Sequence, residues 1–221
     1  MNLNTDRLHD IAQRVVWRAV IVPGSRILSR LAMGPRVHHA QAVPRSAVVI
    51  SNHIHPLDVL AVAQAVRPRQ IFSSSQQSNF DIPVAGAILR FFDTIVVGRE
   101  PEVEEHFYAE ATQRLHDGKL VAIYPEGIRG HDPRTMKPLK RGAFELAVRA
   151  RVPVLPMRLV PTGGTVGLLW QRTRLDVWTG ELLYPDPSLG HEGAVQDLRT
   201  RARSVMDDLL AWHKAEVVSA G

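Results

Sequence analysis

A histidine and an aspartate five residues apart are the strongest candidates for chemistry in this sequence. His53 and Asp58 follow an apolar, β-branched run at residues 47–50 and adjoin an apolar helical run at residues 59–63. This pattern predicts a strand, a turn that contains His53, and a helix that begins near Pro56 and carries Asp58 in its first turn. Such a turn lets the two side chains meet. An imidazole held by a carboxylate has a fixed tautomer and can take a proton from a hydroxyl.

Three interpretations of this turn compete. In the simplest, Asp58 only stabilises the N-terminus of the helix. In the second, His53, His55 and Asp58 bind a metal, although the His-x-His-x-Asp-His pattern of zinc hydrolases would place the aspartate one position earlier and a histidine after it. In the third, Asn52, His53 and Asp58 form the Asn-His-x-x-x-x-Asp signature of acyl transfer. The rest of the chain has to decide among them.

Composition limits the function classes. A length of 221 residues with 45% hydrophobic residues fits one globular domain with a full core. The chain has no cysteine, which excludes thiol nucleophiles, disulfides and thiolate metal sites. Its net charge of +5 predicts an anionic partner, such as anionic lipid or a phosphorylated substrate. Nucleic acid is not expected, because no basic run is interleaved with aromatic residues.

The N-terminal residues 1–40 form a segment of their own, ahead of a domain at residues 41–221. Apolar residues recur there at helical spacing, with arginines between them and a tryptophan at position 17. Such basic amphipathic helices either lie in an anionic membrane interface or pack on the domain, and the sequence leaves both open. No stretch approaches the roughly 20 apolar residues that span a bilayer, and the start lacks a signal-peptide layout. We therefore expect a cytoplasmic protein, peripheral on the cytoplasmic face of the membrane.

Strands and helices alternate along residues 41–221. Predicted strands cover residues 47–50, 70–73, 94–97, 120–124, 152–157 and 175–178. The first predicted helix begins near Pro56 and ends near residue 66. Four further helices are predicted at residues 81–91, 101–116, 143–149 and 194–215, and Asp81 is predicted to cap the first of these four. The polar residues 73–79 read as a loop, and residues 34–46 as a connection with one short strand. This alternation predicts a single α/β domain with a largely parallel mixed sheet flanked by helices.

Polar groups follow three of the predicted strands. They are Asn52 and His53 after the first, Arg99 after the third, and Glu126, Gly127 and Arg129 after the fourth. Functional groups gather at the carboxyl ends of strands in α/β sheets. A base, a carboxylate, two arginines and a glycine turn at one edge suit an acceptor hydroxyl that lies beside a phosphate.

With these residues in view, the chain resembles the glycerolipid acyltransferases typified by 1-acyl-glycerol-3-phosphate acyltransferase. Four blocks match in order across residues 47–160: Asn52-His53 with Asp58, the segment that ends at Arg99, Tyr124-Pro125-Glu126-Gly127-Ile128-Arg129, and Val152-Pro153-Val154-Leu155-Pro156. The resemblance implies a glycerol-3-phosphate acyltransferase-like fold, preceded by the N-terminal amphipathic helices.

The resemblance also implies an O-acyltransferase that works without a metal or a cofactor. The acyl donor would be acyl-CoA or acyl carrier protein, and the acceptor a lysolipid or glycerol phosphate, first of all 1-acyl-glycerol-3-phosphate, in phospholipid synthesis. His53 would take the proton of the acceptor hydroxyl, and Asp58 would orient His53. The residues implied in substrate binding are Asn52, Arg99, Glu126, Gly127, Arg129 and Lys140.

Two departures from the family pattern leave the acceptor open. Asp93 and Val96 stand where the second block has a glycine and an aromatic residue, and residues 73–78 contain no lysine. Both changes make the presumed phosphate site less positive, so another lysolipid or a specialised metabolite is an alternative acceptor. Two further alternatives are a metallohydrolase that uses His53, His55 and Asp58, and a lipid-binding module without catalysis.

Overall fold

Seven strands form one mixed sheet in this protein, for which a computed structural model describes residues 34–38, 42–55, 58–130, 135–162 and 175–219, with isolated positions at 19, 23, 24 and 27. The strands are β1 (Arg36–His38), β2 (Ala47–Ser51), β3 (Ile71–Gln76), β4 (Ile95–Val97), β5 (Leu120–Ile123), β6 (Val154–Pro161) and β7 (Leu175–Thr179). Their order is β1-β7-β6-β2-β5-β3-β4. All neighbours are parallel except β6 and β7.

The helices lie on both faces of this sheet. They are α1 (Asp58–Ala65), α2 (Gln77–Phe80), α3 (Pro83–Phe91), α4 (Pro101–His116), α5 (Gly142–Ala150) and α6 (His191–Ser219). The central strand β2 is buried on both faces: Val48 and Ile50 face the core under α4, α5 and α6, whereas Ala47 and Val49 face the core under α1. A strand packed on both faces gives the turn that follows it a rigid base.

The predicted α/β domain with a largely parallel sheet is confirmed. The predicted short strand within residues 34–46 is β1, which pairs in parallel with β7 at the sheet edge. The bounds predicted for α4 are those observed, because its start is marked by Pro101 and by the acidic residues Glu102 and Glu104 in the first turn.

Two local predictions were wrong. The predicted loop at residues 73–79 is not present: residues 73–76 continue β3, because Ser74, Ser75 and Gln76 pair with β4, and residues 77–79 belong to α2. Asp81 does not cap α3: the N-cap residue is Ile82, which makes no side-chain cap hydrogen bond, and a proline follows it.

Several predictions fall outside the described residues. These are most of the N-terminal segment at residues 1–40, the helix start near Pro56, and residues 131–134 of the loop after β5. Across the part of the chain that is described, no helix is both long and apolar enough to span a bilayer.

Candidate active site

The turn between β2 and α1 brings His53 and Asp58 together. His53 Nδ1 lies 2.9 Å from Asp58 Oδ2, and the same oxygen accepts the backbone N–H groups of Ile54 at 2.7 Å and His55 at 2.9 Å. The Asp58 side chain is fully buried, as the first residue of α1. Three donors on one oxygen stabilise the charge of the carboxylate and fix its direction.

This geometry sets the protonation of the ring. The Asp58 carboxylate can only accept a hydrogen bond from the ring, so Nδ1 of His53 carries the proton and Nε2 has a free lone pair. His53 is 25% exposed and lines a cavity, whereas Asp58 lies behind it. The chemical capacity of the pair is therefore that of a general base whose positive form, once protonated, is stabilised from the rear.

Tyr124 covers one face of this imidazole. The two rings stack with their centroids 4.5 Å apart at an angle of 25°. Burial of the phenol, together with the nearby charge of Asp58, raises the pKa of Tyr124 well above its usual value. The phenol therefore stays neutral at physiological pH and does not compete with His53 as a base.

Asn52 anchors the turn to the neighbouring strand. It is 2% exposed, its amide donates to the carbonyl of Leu159 at 3.0 Å, and it accepts the N–H of Leu159 at 2.8 Å. On the other side, Gly130 donates its N–H to the carbonyl of His53 at 2.7 Å. The structure thus gives Asn52 a place in the support of His53 rather than in the cavity lining.

The cavity has a volume of about 860 Å³ and lies at the carboxyl ends of β2, β3, β4 and β5. Of the residues predicted to bind substrate, four line it: Arg99, Gly127, Arg129 and Lys140. The three cations are exposed and form no ion pair with a described carboxylate. They are therefore available to an anionic ligand.

Gly127 and Glu126 shape the loop that carries two of these cations, Arg129 and Lys140. Gly127 has a φ of 73°, and a Cβ there would collide with the side chain of Lys140, which lies against it. Glu126 is 5% exposed and accepts the backbone N–H of Lys137 at 2.9 Å. Glu126 therefore fixes the part of the loop around Lys137, and the absence of a side chain at Gly127 lets Lys140 lie against the backbone there.

Sequence reasoning placed residues 73–78 near the presumed phosphate site but did not assign them to substrate binding. Residues 74–79, which we call the neutral wall, all line the cavity, as do three carboxylates. The neutral wall comprises Ser74, Ser75, Gln76, Gln77, Ser78 and Asn79, and the carboxylates are Asp81, Glu100 and Glu104. The rule that ligands bind at the ends of parallel strands could have found the wall, had β3 been predicted to its true end.

The residues of the metallohydrolase alternative are not arranged as metal ligands. Within the described ranges, no group of three or more His, Asp or Glu side chains is placed to hold a metal ion. The Asp58 oxygen that faces His53 is already engaged by two backbone N–H groups besides the ring. The arrangement fits a hydrogen-bonded base and not a coordination sphere.

Comparison with known proteins yields one family and several relatives. The family model described as "Acyltransferase" matches residues 34–160. A 1-acyl-sn-glycerol-3-phosphate acyltransferase of Haemophilus influenzae is 26% identical over 186 residues, which are 82% of this chain and 75% of that protein. An uncharacterized acyltransferase of Schizosaccharomyces pombe is 28% identical over 122 residues, 54% of this chain and 43% of that protein.

The fold is shared with a solved structure. The crystal structure of the 1-acyl-sn-glycerophosphate acyltransferase of Thermotoga maritima has a TM-score of 0.66 and 20% sequence identity, and it covers 91% of this chain and 83% of that one. The resemblance predicted from four ordered blocks is confirmed, because the family match contains the whole set of predicted site residues.

Proposed function

The chain belongs to the acyltransferase family, and we propose that it transfers a fatty acyl group from a thioester to the hydroxyl of a lysophospholipid-like acceptor. The first candidate is 1-acyl-sn-glycerol-3-phosphate, on which the relative from Haemophilus influenzae is named to act. The observation that carries the proposal is the His53–Asp58 pair, whose free ring nitrogen opens into a cavity with three cations.

The proposed reaction proceeds by direct transfer. His53 Nε2 removes the proton of the acceptor hydroxyl while its oxygen attacks the thioester carbonyl carbon. A C–O bond forms, and the tetrahedral intermediate then breaks its C–S bond. The imidazolium returns its proton to the leaving thiolate, so the products are an ester and a free thiol. Asp58 stabilises the imidazolium between these two proton transfers.

The acceptor phosphate is proposed to lie at the cations. Arg99 follows β4, while Arg129 and Lys140 lie on the loop after β5, so the three charges flank the cavity that His53 lines. Arginine binds phosphate through two parallel N–H groups, and lysine adds a point charge. A phosphate held there would keep the acceptor hydroxyl within the same cavity as the base.

The donor is proposed to be acyl-CoA or acyl carrier protein, and the pathway phospholipid synthesis. Both donors present the acyl group as a thioester on a phosphorylated arm, so both are compatible with a basic cavity. The reaction as written needs no cofactor, because the side chains of the site carry out both proton transfers. Side-by-side assays with the two donors would decide between them.

A lipid acceptor has to reach the cavity, and α3 is proposed to face an anionic membrane on the cytoplasmic side. Ile82, Val84 and Ile88 are 50%, 72% and 50% exposed on or beside this helix, and Arg90 follows them. Ile128, 57% exposed, lines the cavity itself. An apolar face with basic neighbours suits an anionic lipid surface. Unchanged binding of a Val84→Asp, Ile88→Asp variant to anionic vesicles would contradict this placement.

The test of the function is thiol release from long-chain acyl-CoA by the purified full chain, with 1-acyl-sn-glycerol-3-phosphate as acceptor. We expect release that depends on acceptor, persists in a metal chelator, and falls at least 100-fold in His53→Ala. His116→Ala, which replaces a histidine outside the cavity, is the matched control. Equal release by His53→Ala and wild type would overturn the proposal.

A further inference from the structure

The neutral wall is a second polar surface inside the proposed acyltransferase cavity. It spans the end of β3 and most of α2, and each of its six residues carries a hydroxyl or an amide and lines the cavity. None carries a charge, in contrast to the cations at Arg99, Arg129 and Lys140. One cavity therefore combines a surface for an anion with a surface for neutral polar groups.

Hydrogen bonds within the protein hold this wall in place. Asn79 donates its amide to Ser75 Oγ at 2.9 Å, Ser74 donates its hydroxyl to the carbonyl of Ala122 at 3.3 Å, and Gln76 donates its amide to the carbonyl of Gly127 at 3.4 Å. These contacts use side-chain donors of the wall and leave its amide acceptors. Among the described residues, the amide oxygens of Gln76 and Asn79 accept no hydrogen bond, so they are left to accept from a ligand.

Three carboxylates add acceptors to the same cavity. Glu100 accepts the backbone N–H of Arg99 at 3.1 Å. Asp81 and Glu104 form no ion pair with the described cations. The lining thus contains as many carboxylates as cations, and it offers more acceptors than a phosphate needs. Carboxylates next to a phosphate monoester, which carries up to two negative charges, would repel it.

The acceptors lack partners if the ligand is 1-acyl-glycerol-3-phosphate. That molecule has one alcohol hydroxyl, which reacts and therefore faces His53. Its ester and its ionised phosphate oxygens mainly accept hydrogen bonds. The amide oxygens of the wall and the carboxylates are exposed to solvent, and a ligand with further O–H groups would replace the water that donates to them.

We propose that the acceptor carries a polyhydroxylated head group, a polyol or sugar, esterified to its phosphate. The head-group hydroxyls donate to the neutral wall and to Asp81 and Glu104, while the phosphate lies at the cations and the glycerol hydroxyl faces His53. A phosphodiester carries a single negative charge, which suits a lining whose cations and carboxylates are equal in number. This inference rests on the proposed function and names its acceptor class.

Binding of water-soluble head groups tests recognition without catalysis. Calorimetry would compare sn-glycero-3-phosphoinositol with sn-glycero-3-phosphoethanol, which has the same phosphodiester charge but no hydroxyl on its head group. We expect the inositol compound to bind at least tenfold more tightly to the full chain. Equal affinities, or tighter binding of the ethanol compound, would overturn the inference.

Variants assign the difference to the wall. Asn79→Leu removes an acceptor from an exposed position, and we expect it to reduce the preference for the inositol compound at least fivefold. Gln113→Leu makes the same kind of change on α4, outside the cavity, and we expect it to leave the preference unchanged. Loss of preference in both variants, or in neither, would contradict the assignment.

Transfer assays separate this inference from the function on which it rests. We expect kcat/KM for 1-acyl-glycerol-3-phosphoinositol to exceed that for 1-acyl-glycerol-3-phosphate, and Asn79→Leu to raise the KM of the acceptor. If Asn79→Leu raises only the KM of acyl-CoA, the wall holds the donor and the inference is wrong. If head groups bind selectively but no acceptor yields thiol, the proposed function fails and the recognition stands.

Discussion

Asp58 and Glu145 are both buried carboxylates that accept several N–H groups, but one orients a reactive side chain and the other joins helices. Asp58 receives two backbone amides of its own turn and one imidazole. Glu145, whose side chain is 7% exposed, lies on α5 and receives three charged or chargeable side chains. Its donors are Arg149 at 2.7 Å, His191 at 2.9 Å and Arg141 at 3.0 Å.

The difference lies in what the donors are attached to. The donors of Asp58 include a ring that reaches the cavity, whereas the three donors of Glu145 lie on or beside α5 and α6 and do not line that cavity. Arg149 continues the network to α4, where it lies 4.2 Å from the ring of Tyr108. Glu145 therefore joins three helices, and Asp58 directs one reactive group.

The pKa of Glu145 shows why a perturbed carboxylate does not by itself mark an active site. Burial would raise this pKa, but hydrogen bonds from Arg149, Arg141 and His191 outweigh burial and lower it to about 2. Perturbed groups cluster at functional sites, yet structural ion-pair networks produce the same signature. Neither Glu145 nor its three donors line the cavity, so the low pKa of Glu145 belongs to a structural network.

Asp58→Asn is the change that should separate the two regions most strongly. An asparagine keeps the size of the side chain but loses the charge that stabilises the imidazolium and fixes the Nδ1–H tautomer. We expect kcat for acyl transfer to fall by about 10³-fold or more. Near-ultraviolet circular dichroism would confirm that the variant is folded. A loss below tenfold in a folded variant would show that Asp58 only stabilises its turn.

Glu145→Gln should have the reverse effect. A shift from 4.5 to about 2 corresponds to about 3 kcal/mol, which the exposure of the three partners reduces to about 2 kcal/mol. We expect urea unfolding to show that loss of stability, with kcat changed less than twofold in the folded protein. Glu105→Gln removes a carboxylate that is 73% exposed from the same network and should cost under about 0.5 kcal/mol. Equal losses of unfolding free energy in both variants would show that the buried Glu145 contributes no more than the exposed Glu105.

The stability from Glu145 should depend on pH in one direction. Its folded pKa of about 2 lies below the ordinary value of 4.5, so its contribution is present above pH 4.5 and is lost as the pH falls toward 2. We expect the difference in unfolding free energy between wild type and Glu145→Gln to shrink by more than half between pH 5.5 and pH 2.5. A difference that stays constant over this range would mean that the charge of Glu145 is not its source.

The same contrast explains how much the sequence could predict. The His53–Asp58 pair was predictable because its partners are five residues apart and a strand and a helix flank them. The α4 helix was predictable for a similar reason, since its start signals lie within its first turn. Arg99 and Arg129 followed from the rule for strand ends, whereas Lys140 was predicted only from the family resemblance.

Other features depend on contacts between distant parts of the chain. β3 extends from Ser74 to Gln76 because these residues pair with β4, although serine and glutamine are not among the residues that favour strands. The neutral wall enters the cavity only through that extension. The Glu145 network brings together α4, α5 and α6, and no local pattern indicates that these helices meet.

Tyr124 tests the smallest difference between a reactive and a supporting side chain, because it stacks on the His53 ring but takes no part in the proposed proton transfers. The stack orients His53, whereas the hydroxyl is buried, protonated and makes no hydrogen bond within the described residues. We expect Tyr124→Phe to change kcat less than about threefold and Tyr124→Leu to lower it about fivefold, since ring stacking is worth about 1 kcal/mol. The measurement is kcat at saturating donor and acceptor, with folding checked by thermal unfolding. A fall in kcat for Tyr124→Phe as large as that for Asp58→Asn would give the hydroxyl a part in the chemistry, because Tyr124→Phe removes the hydroxyl and keeps the stacked ring.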